Sequence, residues 1–310
     1  MINTLPNRLA QSFFFHSCCP VCASENIQPK LTAKDYTVSH EEFEIWECGD
    51  CSLRFTQGIP VEEEIGKYYQ SEEYISHSNT NKGIISTAYQ IVRQYTLKMK
   101  KNLVEKDSGL SEGSILDIGC GTGEFLSVMQ SAGWSVKGLE PDEGARTQAE
   151  ELLGNQVFKP SQLFQESPAS YDVISMWHVL EHVHQLHEYI KKIHEILKPN
   201  GTLFIAVPNY LSKDAASYQK DWAAYDVPRH LYHFTPQALS QLVSQYGFRI
   251  EEKKAMPFDA FYVSLLSEKY IHGKNRLISA STNGLNSWLT ANRDSNRGSA
   301  VLYKIRKYEK

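Results

Sequence analysis

The sequence predicts an α/β protein: a mostly parallel sheet with helices on both faces, preceded by a small cysteine-built module. Three observations predict it. From residue 115 onward short apolar runs alternate with helical spacings, the pattern of repeated β-α-β units whose strands run parallel. A glycine-rich loop stands where the first of those strands turns into the first helix. Five of the six cysteines fall within the first 51 residues, four of them in two close pairs.

The bulk properties set limits. A chain of 310 residues has room for one large domain and one small one, and a hydrophobic share of 41% is enough for a sizeable core. The net charge of -4 and pI near 6.3 lack the basic surplus of proteins that grip phosphates, so nucleic acid is disfavoured as a partner. No apolar run reaches the ~18 residues of a membrane span. The first twenty residues hold a run of three phenylalanines but no secretory h-region, so the expected location is the cytoplasm, where clustered cysteines bind metal rather than pair as disulfides. The oligomeric state is open.

Element by element, residues 1–58 read as the cysteine module, 59–108 as a helical linker and 109–310 as the main domain. Between the cysteine pairs an alternating, β-like stretch runs from Tyr36 to Trp46. Ile84–Leu103 has amphipathic helical spacing, and the Gly/Ser-rich segment 107–114 marks the domain entrance. Strands are expected at Ile115–Ile118, Val136–Leu139, Val157–Phe158, Val173–Trp177 and Thr202–Val207. Helices are expected at Glu124–Ala132, Gly144–Leu153 and Leu186–Leu197, the last stopping at Lys198-Pro199-Asn200-Gly201. Thr235 as N-cap and Pro236 at the first helical position open a helix to Tyr246. Phe248–Lys254 and Ala300–Arg306 complete the strands. Two insertions remain, at about 208–234 and about 257–297, the second helical.

The chemistry-bearing signal is Asp117-Ile118-Gly119-Cys120-Gly121-Thr122-Gly123. Glycines there let the backbone take positive φ and approach a ligand, and the following helix start offers free N–H groups. Glu140 ends the next strand, where an acid can accept both hydroxyls of a ribose. A dinucleotide fingerprint has G-x-G-x-x-G spacing; this loop is G-x-G-x-G. The segment resembles the first motif of class I S-adenosylmethionine (SAM)-dependent methyltransferases. Tyr171-Asp172-Val173-Ile174, His178-Val179-Leu180-Glu181-His182 and Lys198-Pro199-Asn200-Gly201 resemble later segments of that family. The resemblance covers 115–207 closely and the chain to 306 loosely. It implies a Rossmann-like, seven-stranded, mostly parallel sheet and SAM as cofactor. Carried over, Gly119, Cys120, Gly121 and Gly123 form the loop, Asp117 supports the amino-acid end, Glu140 holds the ribose, Pro141 and Asp142 lie beside the adenine, and Trp177 and His178 line the site. Where many relatives have an acid near adenine, this chain has Lys159-Pro160-Ser161-Gln162-Leu163, with Ser161 or Gln162 as substitutes.

Cys19-x2-Cys22 and Cys48-x2-Cys51 offer four thiolates in two pairs, the ligand set and spacing of a tetrahedral zinc ribbon. His178, Glu181 and His182 also spell H-x-x-E-H, a zinc-peptidase pattern; with no remote third ligand evident, it is discounted as a metal site. His184, His187 and His194 read as solvated helix positions. The insertion around Trp222, Tyr225, Arg229, His230, Tyr232 and His233 is placed to cover an acceptor. Catalytic candidates are His178 and His230 first, then Tyr225 and His233, since histidine suits a general base. "PRHLYHFT" segments like 228–235 resemble those of methyltransferases acting on sugars. The expected activity is methyl transfer to a small-molecule, sugar-linked acceptor. The alternative is an RNA methyltransferase gripping RNA through the ribbon, against which stands the ribbon's charge: three basic against seven acidic residues over 17–56, which repels phosphates.

Overall fold

The structure, a computed structural model, describes residues 12–70 and 84–308, with side chains described outside 84–91. The expectation of no signal in the first residues falls partly on 1–11, and that of a helical linker partly on 71–83, outside the described residues.

The cysteine module is built from β1 (Phe13–Phe14), β2 (Ile27–Lys34), β3 (Glu42–Cys48), β4 (Arg54–Thr56) and β5 (Ile59–Pro60). β2, β3 and β4 form an antiparallel meander, and β1 pairs with β5. The expected run from Tyr36 to Trp46 is strand only from Glu42. Asp35 is the reason: its carboxylate accepts the backbone N–H groups of Thr37, Val38 and Ser39, and a side chain that captures successive N–H groups makes a turn in place of a ladder.

The main sheet contains β6 (Ser114–Ile118), β7 (Ser135–Leu139), β8 (Val157–Phe158), β9 (Tyr171–Trp177) and β10 (Leu197–Pro208). A short β11 (Tyr232–His233) belongs elsewhere, and β12 (Phe248–Ala255) and β13 (Ala300–Lys307) complete the sheet. The order is β12-β13-β10-β9-β6-β7-β8. The five strands from β8 to β10 are parallel, and β13 runs antiparallel to both neighbours. This is the seven-stranded, mostly parallel α/β sheet the sequence predicts. The strands are buried because helices cover them: α1 (Ile84–Ser108), α2 (Glu124–Ser131), α3 (Glu143–Leu153), α4 (Leu186–Ile196), α5 (Lys213–Tyr218), α6 (Pro236–Ser244), α7 (Asp259–His272) and α8 (Leu277–Arg293). Thr235 caps α6 by accepting from the N–H of Ala238, with Pro236 next in line, as its sequence implies. The turn expected at Lys198–Gly201 lies inside β10: Leu197 already pairs with Tyr171, and the register shifts before Thr202, a bulge that absorbs the Pro-Asn-Gly.

The insertion does not float over the sheet. β11 pairs with β4, setting Tyr232 opposite Phe55 and His233 opposite Arg54. Thr56 donates its backbone N–H to Leu231 and its hydroxyl to the carbonyl of His230. Val21, Leu53, Phe55 and Ile59 of the cysteine module share one apolar core with Ile118, Leu180, Leu239 and Phe248 of the main domain. At ~1.5–3 kcal/mol for each large apolar side chain taken from water, these residues weld the module to the sheet.

Candidate active site

The parallel strands deliver their carboxyl ends to one edge of the sheet, where α/β proteins bind ligands. At the end of β6 the chain enters the glycine loop with Gly119 at φ 75°. A side chain at 119 would run into Val179, whose Cγ2 lies 2.3 Å from the Cβ position. Gly121 differs: a Cβ there would meet nothing within 4 Å, so this backbone faces open space that a ligand can enter.

Two acids frame that space. Asp117 is buried; Ser175 Oγ donates to its Oδ1 at 2.6 Å. Burial raises its pKa to about 7, against the pull of that hydrogen bond and of the Lys100 ammonium. Glu140 accepts the N–H of Gly121 on Oε2 at 2.8 Å and that of Asp142 on Oε1 at 2.9 Å. Its pKa is also raised by burial, with the two backbone bonds opposing. Each oxygen keeps a further lone pair. An open glycine backbone, a fixed carboxylate with spare acceptors and a second buried acid fit a ligand with ribose hydroxyls and two positive charges, and SAM is such a ligand. Asp142 caps α3 by accepting from Ala145, and Gln162 donates to Glu166 at 3.3 Å, so both are engaged within the protein.

On the segment whose Val179 packs on Gly119 stands His178, at φ 58° just after β9. Its N–H donates to the carbonyl of Ala206, and this strained turn swings the ring out of line with the strand. Nε2 lies 3.1 Å from Asp259 Oδ1, and Nδ1 lies 3.5 Å from Glu181 Oε1. Burial disfavours the imidazolium, but Asp259 and then Glu181 outweigh it and raise the pKa to about 10. His182 and His230 meet edge to face, with ring centroids 4.6 Å apart. Burial, then the neighbouring His230, lowers the pKa of His182 to about 4.

The four cysteines of the two pairs converge. Cys19 Sγ and Cys51 Sγ are 3.5 Å apart, Cys22 Sγ and Cys48 Sγ 3.6 Å, and all four lie within 4.8 Å of one another. Sulfurs around one ion at metal–sulfur bonds of ~2.3 Å sit about 3.8 Å apart, so the set fits a tetrahedral ion. Cys18 is not part of it.

A family profile described as a methyltransferase domain matches residues 89–253, more than half of the chain. The chain belongs to this methyltransferase family. Curated relatives include a ubiquinone biosynthesis O-methyltransferase from Histophilus somni (strain 2336), 30% identical over 159 residues, covering 43% of this chain and 67% of that protein. One from Pseudomonas aeruginosa (strain LESB58) is 30% identical over 118 residues, 36% and 51% of the two chains. This methyltransferase thus spans about half to two thirds of the first such relatives. Another, from Rickettsia canadensis (strain McKiel), is 24% identical over 208 residues, covering 62% and 87%. Among solved structures, 1,6-didemethyltoxoflavin-N1-methyltransferase from Burkholderia thailandensis superposes with TM-score 0.50 at 14% identity, covering 84% of this chain and 98% of that one; this likeness speaks for the fold. The chain thus carries a SAM-dependent methyltransferase domain. Among the described residues no helix is long and apolar enough to cross a membrane.

Several expected acceptor contacts are turned elsewhere. The Tyr225 hydroxyl accepts from Arg54 Nη1 at 2.7 Å, His233 Nε2 lies 3.2 Å from Thr56 Oγ1, and both side chains are buried. Arg229 is 1% exposed and clamped by Asp35 and Asp226. These three fasten the insertion to the cysteine module, and only His230 of that group joins the histidines beside the loop. The histidines expected in solvent are half-buried in part: His184 Nε2 meets the carbonyl of Pro60, and His187 bridges Pro20 and Tyr246. Two site residues were not read from the sequence. Lys100, on α1, lies over the Trp177 ring at 4.4 Å and is attracted by both Asp117 and Asp259, while burial lowers its pKa. Asp259, the first residue of α7, comes from the second insertion. Neither sits in a motif; the fold alone brings them in.

Proposed function

We propose that this methyltransferase acts on a hydroxyl oxygen of a small, hydroxyl-rich, sugar-linked acceptor. The observation that carries the reading is the run of polar side chains on the segment whose Val179 packs on Gly119: a partly exposed His178 paired with Asp259, with His182 and His230 close by. Imidazoles and carboxylates are groups that read hydroxyls. The relatives named as O-methyltransferases support oxygen as the acceptor atom, and the resemblance of 228–235 to sugar-modifying enzymes supports the sugar. The ribbon's surplus of acids speaks against RNA.

Asp117, Gly119, Gly121 and Glu140 would hold SAM, with Cys120, Gly123, Pro141 and Trp177 beside them. When bound, SAM supplies a methyl group on a positively charged sulfur, open to in-line displacement. Of the two buried acids, Asp117 would serve the amino-acid end and Glu140 the ribose hydroxyls. In its neutral form, with the one ring proton on Nδ1 toward Glu181, His178 would accept the acceptor's hydroxyl proton on Nε2 as Asp259 gives that nitrogen up, and Glu181 and Asp259 would steady the imidazolium so formed. Glu181 and His182 follow on the same segment and shield this proton from bulk water. Cys19, Cys22, Cys48 and Cys51 would hold one zinc ion as a structural site.

The test is transfer of a labelled methyl group from SAM into a host extract fractionated into small metabolites, nucleotide sugars, protein and RNA. Label among metabolites or nucleotide sugars is the expected result. Label in RNA would overturn the acceptor assignment.

A further inference from the structure

Glu181 is fully buried, and neither carboxylate oxygen has a hydrogen-bond partner. A buried carboxylate without a hydrogen bond is costly, and its one ion-pair contact, His178 Nδ1, comes no nearer than 3.5 Å to Oε1, which leaves acceptor capacity for a further partner. Two further imidazoles, those of His182 and His230, face it. His182 Nδ1 lies 3.0 Å from the carbonyl of Arg229, and His230 Nδ1 lies 2.8 Å from the carbonyl of Ala224. A carbonyl only accepts, so each Nδ1 carries the proton and each Nε2 presents a lone pair. A backbone carbonyl that fixes the Nδ1–H tautomer is what orients a metal-ligating histidine. One ligand atom from each of Glu181, His182 and His230 lies within 4.8 Å of the others. Around one ion at bonds of ~2.0–2.2 Å such atoms lie roughly 3–3.5 Å apart, a difference that small side-chain rotations close.

We infer that Glu181, His182 and His230 form a second metal site, for a divalent first-row cation, separate from the four cysteines. Two imidazoles and one carboxylate leave coordination positions open, the ligand set of catalytic zinc and of non-haem iron. The H-x-x-E-H pattern contributes differently from its usual reading. His178 leaves the set to join Asp259, and the remote third ligand is His230, delivered by the insertion that β11 fastens to the ribbon. The site lies next to the glycine loop, because Val179 of the same segment packs on Gly119. A role in polarising the acceptor oxygen rests on the function proposed above; metal binding itself does not.

The test is metal content and cobalt spectroscopy on the full-length protein with its ribbon intact. After equilibration with zinc or cobalt and removal of free metal, wild type should hold about two ions per chain and His230→Gln and Glu181→Gln about one. The cobalt lost in these variants should carry ligand-field absorption without the thiolate charge-transfer bands of the ribbon ion. The retained ribbon ion and an unchanged circular dichroism spectrum certify that a variant is folded; should Glu181→Gln fail this, His230→Gln and His182→Gln carry the comparison. A wild-type content that stays at about one ion with zinc, cobalt and manganese would overturn the site. So would a second ion that survives in folded His230→Gln and His182→Gln.

Discussion

His178 Nε2 sits 3.1 Å from Asp259 Oδ1, joining the end of β9 to the first turn of α7. Against the pull of burial, Asp259 and then Glu181 raise the pKa of His178 to about 10, so the ring is protonated at neutral pH. If it must be neutral to accept the acceptor's proton, the methyl-transfer rate should climb with pH toward about 10. Asp259→Asn removes the largest raising partner and should move the inflection down by at least one unit, toward the ordinary ~6.5 of histidine. Rate–pH profiles at saturating SAM check this, and coinciding profiles in wild type and variant would remove His178 from the reaction. Raised above its unfolded value, the His178 pKa also contributes stability that is complete below ~6.5 and lost as pH rises through about 10.

Asp117 carries the opposite sign. Its pKa is about 7 when folded, against an ordinary 3.8. Between those values the folded chain holds a proton that the unfolded chain has released, so ligand-free stability falls as pH rises, by up to about 4 kcal/mol. Asp117→Asn should therefore raise the melting temperature at pH 8 but not at pH 4, while weakening SAM binding at least tenfold. Thermal melts at the two pH values and calorimetric titration with SAM give both readings. Unchanged affinity would sink the assignment of Asp117 to the cofactor.

The sheet was legible because its strands combine short apolar runs with sharp punctuation: Gly119 after β6, Thr235-Pro236 before α6, Gly247 before β12. The cysteine cluster was legible because ligand spacing is local. What escaped was the work of residues whose partners are remote in sequence. Asp259 and Lys100 reach the site from an insertion and a linker that show no motif. Tyr225 and His233 look like acceptor contacts as a string of polar aromatics, yet register with β4 aims them at Arg54 and Thr56. Strand pairing across some 180 residues leaves no periodic trace in either segment.

If the four cysteines hold the proposed zinc ion, its removal should not unfold the ribbon alone. Cys19, Cys48 and Cys51 belong to the apolar core that also contains Ile118 and Phe248. Cys19→Ser and Cys48→Ser should each lose the ribbon ion and lower the melting temperature of the whole described fold in one transition. Calorimetry alongside metal analysis reads both effects. A separate early transition, with the main melt unmoved, would show that the shared core contributes little.

Arg229 offers the sharpest stability test. Its side chain is 1% exposed; Nη2 lies 3.0 Å from Asp35 and 2.6 Å from Asp226, and Nη1 donates to the carbonyl of Tyr68 at 2.7 Å. Arg229→Met keeps much of the volume but strands two carboxylates, a loss of ~3–5 kcal/mol for a broken buried pair. Burial alone would raise the Asp35 carboxyl, but the Arg229 guanidinium and the N–H groups of Ser39 and Thr37 hold it well below the usual range. A depressed pKa gives stability that is present above ~3.9 and lost as pH falls below it. Urea unfolding should thus show wild type losing stability steeply under acid, with Arg229→Met weaker at pH 7 and less acid-sensitive. A loss below ~1 kcal/mol at pH 7 would mean that the clamp between insertion and ribbon is replaceable by packing, as some buried ion pairs are.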